Sequence, residues 1–400
     1  MNFGADIIIL GAGIAGASAA AQLAPHAKVL LVEAEDKAGR HATGRSAATF
    51  FETYGSAAVR ALVRASRDFM LAPPQGFAPL PLMSPRQALF IASPSQMPVL
   101  HAMRQDAGIA EVTSLISPEQ AAALVPILRP ERLAGAMLDR SGYDIDVDAL
   151  HQGYLRCAKA AGAVMHLDAG FETTIEYRES CWHLRTRQGE LHAPLLVNAA
   201  GAWADEVAAR SGVKPIGLQP LRRTALIVPA PPGQDCSGWP MVIDAEESFY
   251  FKPDAGKLLL SPANEDPSPP CDAASDELDV AIAVDRFETA TTHAVRRVLH
   301  RWAGLRSFVA DRSPVIGFAD DAPGFFWLAG QGGYGIETSA AAGILAASLI
   351  RGLGLPPALA SHGVELAALS PMRLVVLAAP PNNPPLFGLS KASTKELRLP

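Results

Sequence analysis

Apolar residues arrive in short uninterrupted runs at the start of the chain. Ile7-Ile8-Ile9-Leu10 and Val29-Leu30-Leu31-Val32 have the length and branching of strands buried on both faces. Between them, residues 14–23 are Ala-rich and read as a helix ending near Pro25. Residues 54–69 carry Val59, Leu62, Val63 and Phe69 at helical spacing, residues 117–124 open on Ser-Pro-Glu, and residues 144–160 open on an acid. These spans predict three further helices. Residues 164–167 and 195–197 predict strands returning to the first sheet. From 218 to 302 the pattern changes. Strand-like pieces at 224–228, 241–243, 248–252 and 257–260 alternate with Pro, Gly and Asp turns, as in an antiparallel sheet. Residues 302–309 then predict a return to the first domain, followed by a strand at 325–328 and a helix at 337–350. The Pro- and Asn-rich residues after Arg373 predict a disordered tail.

The turn after the first strand carries chemistry. Gly11-Ala12-Gly13-Ile14-Ala15-Gly16 sits between strand and helix, and the second strand ends in Glu33. Gly11 permits a tight turn, Gly13 admits a pyrophosphate to the backbone, and Gly16 lets helix and strand pack closely. The helix N-terminus offers unpaired N–H groups to phosphate. Glu33, 22 residues after Gly11, can accept both ribose hydroxyls and would repel a 2′-phosphate. A dinucleotide other than NADP is expected.

Composition narrows the partners. The 400 residues suggest two domains, and 49% hydrophobic with 18% charged residues describes a globular chain. A net charge of −6 without basic runs argues against nucleic acid. Cys157, Cys181, Cys236 and Cys271 are scattered, so neither a metal site nor a disulfide framework is expected. No integral membrane segment is read, and the first strand starts near Asp6, so the expectation is a cytoplasmic protein.

Other segments bear on the cofactor. Ala42-Thr43-Gly44-Arg45-Ser46-Ala47-Ala48 supplies small residues, hydroxyls and one cation, suited to a pyrophosphate and a flavin edge. The strand through Asn198 ends in tiny residues including Ala200 and Gly201, which allow close approach of a cofactor or of another backbone. Gly330-Gln331-Gly332-Gly333-Tyr334-Gly335 is a second glycine turn before a helix, placed to face a flavin. Arg306 stands in an apolar strand, where a guanidinium needs an anion. Arg222 and Arg223 stand side by side, and either could be a surface residue.

Together these motifs resemble the D-amino-acid oxidase/glycine oxidase-like flavoproteins, and most nearly their D-arginine dehydrogenase-like branch. The resemblance spans residues 5 to about 373. It implies an α/β fold, with a discontinuous Rossmann-like FAD-binding domain (1–77, 142–217 and 303–373). An α+β substrate domain with a mainly antiparallel sheet would take 78–141 and 218–302, leaving 374–400 as the tail. FAD would be held by Gly11, Gly13, Ala15, Gly16, Glu33, Ala34, the 42–48 loop with Thr49, Glu172, Ala200, Gly201, and the turn Gly332, Gly333, Tyr334, Gly335, Ile336.

The substrate carboxylate would meet Arg223 and Arg306, with Tyr54 and Tyr250 covering it and Gly333 accepting the amine. No residue acts as acid, base or nucleophile; the protein positions. The resemblance implies oxidative deamination of D-amino acids to 2-oxo acids and ammonia, hydride passing from Cα to flavin N5. Alternatives are N-substituted amino acids, 2-hydroxy acids, or a non-catalytic flavoprotein subunit. Side-chain preference would lie with Thr49, Ala88, Met241, Ile243 and Glu337. The branch has a carboxylate where Ala88 stands and a histidine where Thr49 stands, so an arginine side chain loses its partner. Glu337 replaces an amide and reads as a helix-N-terminal acid stabilised by the dipole, or as an extra negative charge in the pocket. The electron acceptor, quinone or oxygen, and the oligomeric state are left open.

Overall fold

The computed structural model describes residues 2–105, 108–170, 174–187 and 189–377. Its six-stranded sheet runs in the order Val164–His166, Val29–Val32, Ile7–Leu10, Leu195–Asn198, Phe325–Ala329, Val315–Phe318. All pairs are parallel except the last. The continuous apolar runs follow from cover on both faces. Ile7 and Ile9 face a helical layer with residues from helices Ile14–Leu23, Ala57–Leu71, Val147–Ala160 and Ser339–Ile350. Ile8 and Leu10 face a second layer built around Trp182, Leu184 and Leu191.

That second layer is a four-stranded sheet the hydrophobic pattern did not reveal. Its hairpin strands Thr174–Arg178, Cys181–Thr186 and Gly189–Ala193 join Asn2–Gly4. Only alternate residues are apolar, which is the signature of a sheet with one wet face.

Nine strands form the other large sheet. Ala88–Ala92, Gly135–Asp139 and Thr113–Ile116 come from the earlier segment, and Gln219–Pro229, Met241–Asp244, Tyr250–Asp254 and Lys257–Ser261 from the later one. Pairing is antiparallel except where Met241–Asp244 meets Ala88–Ala92. The expected return at 302–309 is not what the structure shows. His300–Phe308 instead pairs along the whole length of Gln219–Pro229, in register from Gln219↔Phe308 to Ile227↔His300. Only with Val315–Phe318 does the chain rejoin the six-stranded sheet.

Three expected helices begin two or three residues later than the pattern suggests, the first at Ala57, where the Ser56 side chain caps it by accepting from Val59 N. At 144–160, Tyr143–Ile145 is a strand between Thr49–Phe50 and Met83–Pro85. Asp144 is held there by Arg86 Nε and Lys252 Nζ, both at 2.7 Å. Asp146 therefore caps the helix, accepting from Ala149 N at 2.9 Å. The last long helix starts at Ser339, with Thr338 as N-cap. At the C-terminal end, helix Met372–Leu377 continues past Arg373, and the remainder of the expected tail, 378–400, lies outside the described residues.

Gly16 is where the first strand, turn and helix lock together. A Cβ there would lie 1.9 Å from the Gly11 carbonyl oxygen, which is backbone and cannot swing away. Gly16→Ala is expected to cost on the order of 3 kcal/mol by forcing helix and turn apart. Thermal melting of the variant should show a lower midpoint and earlier cofactor release; an unchanged melt would show that the turn can relax.

Candidate active site

The glycine turn ends one wall of a continuous cavity between the two large sheets. Gly11 has φ +97°, and a Cβ there would lie 2.4 Å from the Ala199 carbonyl oxygen. A Cβ on Gly13 would meet only Thr43 Oγ1, at 3.3 Å, so its open side faces the cavity. Thr43 Oγ1 accepts from Ile14 N at 3.0 Å and so caps the helix beside that opening. Behind the turn, buried His151 donates from Nε2 to the Ala12 carbonyl at 2.8 Å. Burial pushes the pKa of His151 down, which favours the neutral ring, and the Ala12 carbonyl, which can only accept, puts its proton on Nε2.

Glu33 closes the second strand as the sequence predicts. Its Oε2 accepts from Ala12 N at 2.8 Å and its Oε1 from Glu35 N at 3.1 Å. Burial raises its pKa, while both backbone bonds oppose the rise. Each oxygen keeps a lone pair for a ribose hydroxyl. Ala15, Ala34, Ala42, Ser46, Ala47, Ala48 and Thr49 line the same cavity, as do Ala200 and Gly201. Gly16 and Gly44 do not; Gly44 is needed because a Cβ would sit 2.7 Å from the Gly39 oxygen. Glu172 lies outside the described residues. Arg45 lines the cavity, but its guanidinium is engaged by Asp272 and by the carbonyls of Ala273 and Ala303 at 2.8 and 3.0 Å. That engagement ties the loop to the substrate-side sheet.

The far half of the cavity is set by strand register. Arg223 lies opposite Gly304, and Leu221 opposite Arg306, so the two arginines are diagonal neighbours on one face. Ala225 and Trp302 form the next pair along and also line the cavity. Arg222 points to the opposite face, where it meets Asp266 and Asp279, both at 3.3 Å. Register thus settles what spacing left open between the adjacent arginines. Arg223 donates to the Asn264 carbonyl at 2.8 Å and to Glu265 at 3.2 Å. Burial and the charge of Arg306 lower its pKa, although a guanidinium stays charged.

Arg306 donates no hydrogen bond to a described residue. Its nearest carboxylate is Glu265, at 3.6 Å. Burial alone would lower its pKa, but Tyr54, Tyr334, Tyr250 and Glu265 around it raise it. The guanidinium lies against the glycine turn, because Gly332 N donates to Ser307 O at 2.9 Å. A Cβ on Gly333 would fall 1.6 Å from Arg306 Nη2, so any side chain there would displace the guanidinium. Tyr334, Gly335 and Ile336 continue the wall.

Tyr54, Tyr250, Met241 and Ile243 all line the cavity near the arginines. Tyr54 packs on Tyr334 with ring centres 5.4 Å apart and donates to Glu247 at 2.6 Å. Ala88 is fully buried and does not reach the cavity; Phe90, two residues on, and Phe51 do. Neither phenylalanine was singled out by the sequence, where both look like ordinary core residues. Glu337 departs from the dipole reading. It precedes the helix and is buried, with Oε2 accepting from Phe51 N at 3.0 Å. Burial pushes its pKa up to about 8, against the opposing Phe51 bond and Arg306. Near neutral pH the group is therefore a carboxylic acid rather than a dipole-stabilised anion.

A family model described as FAD dependent oxidoreductase (DAO) matches residues 6–349. The chain belongs to this family. FAD is its cofactor, and the residues present fit that group. Buried Gln331 Nε2 and His41 Nδ1 line the cavity and have no hydrogen-bond partner among the described residues. The glycine turn, Glu33 and the 42–49 loop would hold the dinucleotide, and the 332–336 turn the flavin. Glycine oxidase of Geobacillus kaustophilus is 27% identical over 253 residues, 61% of this chain and 63% of that protein. Mitochondrial dimethylglycine dehydrogenase of Mus musculus is 27% identical over 154 residues, 37% and 17% respectively. The chain thus spans less than two thirds of the length of these relatives. The crystal structure of the Geobacillus kaustophilus glycine oxidase has the same fold, with TM-score 0.76 at 22% identity over 89% of this chain and 99% of that one. Among the described residues no helix is long and apolar enough to cross a membrane.

Glu337 gives a signed pH dependence. The folded carboxyl keeps its proton to about 8, whereas the unfolded one releases it near 4.5. Stability through this group is therefore full below 4.5, falls as pH rises, and levels off above about 8. Glu337→Gln keeps an acceptor for Phe51 N–H and removes the ionisation. Its melting temperature should fall less over that window than that of the parent protein; parallel profiles would show that Glu337 ionises normally.

Proposed function

We propose that this chain is an FAD-dependent D-amino-acid dehydrogenase or oxidase of the D-arginine dehydrogenase-like kind. Its substrates would have apolar or uncharged side chains. The observation that carries the reading is the pair of half-buried guanidiniums on one sheet face, with Arg306 free of hydrogen bonds to described residues. A planar carboxylate is the anion that best satisfies such donors. Phe51, Phe90, Met241 and Ile243 offer the adjoining side chain an apolar wall, and Ala88 brings no carboxylate to it.

In this reading Arg223 and Arg306 hold the α-carboxylate and so fix the orientation of Cα. The Gly333 carbonyl accepts from the amine. Tyr54 and Tyr250 exclude water from the bound substrate. FAD, when bound, supplies the two-electron acceptor that turns an amine into an imine. The released imino acid reacts with water to give a 2-oxo acid and ammonia. Rate enhancement comes from orientation and desolvation, without an acid or base from the protein. The local likeness to dimethylglycine dehydrogenase supports a second reading, in which the amine is N-substituted.

Anaerobic bleaching of the flavin by a panel of D-, L- and N-methyl amino acids tests the assignment. D-Leucine and D-phenylalanine should reduce it at lower concentration than D-arginine. Preferential bleaching by N-methylglycine would favour the second reading. Arg306→Met should raise the amino-acid concentration required by about 100-fold. An unimpaired variant would remove the carboxylate clamp.

A further inference from the structure

One anion touches the clamp from within the protein. Glu265 lies in the loop between strands Lys257–Ser261 and Asp266–Pro267. A single oxygen, Oε1, is 3.2 Å from Arg223 Nη2, 3.6 Å from Arg306 Nη1 and 2.7 Å from Arg312 Nη2. Arg223 and Arg306 line the cavity, whereas Glu265 does not. Arg312 is fixed in turn. Its guanidinium stacks 3.8 Å above the Phe308 ring, and Phe308 itself packs under Gly332. Arg312 also adopts φ +59°, a left-handed conformation costly for a residue with a Cβ.

We infer that Glu265, restrained by Arg312, is an internal carboxylate that sets how tightly the arginine clamp holds a substrate or product carboxylate. The inference rests on the clamp reading above. The physical argument is one of sign. Two guanidiniums in a poorly solvated site attract an incoming carboxylate strongly, and would retain a 2-oxo acid as firmly as an amino acid. A fixed negative charge beside them repels the incoming anion and shares their donors, so it lowers affinity for both. Arg312 offsets part of that charge and keeps Glu265 from binding the clamp more fully. Burial pushes the Glu265 carboxyl up, but Arg312, Arg223 and Arg306 together hold it below the ordinary range, so it is ionised at neutral pH. Glu265 is thus a positioning and tuning residue, not one that touches the reacting atoms.

The two residues should act in opposite directions, which a merely structural role would not produce. Two constants are measured on the FAD-bound protein. One is the D-leucine concentration giving half-maximal rate of anaerobic flavin reduction; the other is the Kd of 4-methyl-2-oxopentanoate from the flavin absorbance change. Glu265→Gln is expected to tighten both roughly tenfold, and Arg312→Met to weaken both roughly tenfold. Arg312→Lys keeps the charge and should restore binding to within about threefold of the parent protein. Weakening by both Glu265→Gln and Arg312→Met, or no change in either constant, overturns the inference. Arg306→Met in the same assay separates the two levels. If it leaves both constants unchanged the clamp reading fails; if it abolishes binding while Glu265→Gln changes nothing, only the role of Glu265 fails.

Discussion

The site depends on the register between Gln219–Pro229 and His300–Phe308. That ladder puts Arg223 and Arg306 on one face, two residues apart across the strands, and sends Arg222 to the other. A slip of one residue would separate the two arginines, either exchanging Arg222 for Arg223 or turning Arg306 out of the cavity. The register is secured from several sides. Ser307 bonds Gly332, Trp302 Nε1 donates to the Arg45 carbonyl at 3.0 Å, and Asp279 holds Arg222 on the far face. The ladder between two strands is therefore also the geometry of a binding site.

The cofactor half rests on a different constraint, namely backbone kept free of side chains. At Gly11, Gly16 and Gly333 the neighbouring atom that excludes a Cβ is a carbonyl or the arginine itself. Polar side chains then brace the bare turn. Thr43 caps the helix from above, neutral His151 holds the Ala12 carbonyl from below, and Glu33 takes the Ala12 N–H. The turn thus has its shape before any ligand arrives, so little ordering entropy opposes cofactor binding.

What was readable from the chain follows from how far each requirement reaches. The glycine turn and Glu33 were legible because tight turns and close approach impose local residue types. The parallel strands were legible because burial on both faces leaves no polar position. Spacing alone could not tell Arg223 from Arg222, and only the family resemblance favoured Arg223, because the difference is one of strand pairing with a segment about 80 residues away. Phe51 and Phe90 look like core until the sheet is assembled, and Ala88 lies behind the wall although the family pattern places it in front. Glu337 misled for a related reason: its pKa answers to burial beside Phe51, and helical spacing says nothing of burial. Glu265 left no trace, since an acid in a Pro-rich loop is the commonest of surface features.

The six-stranded sheet has a consequence for how the protein comes to exist. Its central strand, Ile7–Leu10, is made first, yet its neighbour Leu195–Asn198 pairs next with Phe325–Ala329. A nascent chain carrying the first three hundred residues has the glycine turn but neither the closing strand nor the 332–336 turn. Until those emerge, an apolar sheet edge stays unpaired and the cavity lacks a wall. Contacts of such long sequence separation form slowly and leave intermediates prone to associate. The cavity that would hold FAD is thereby complete only after the 332–336 turn has joined the two sheets.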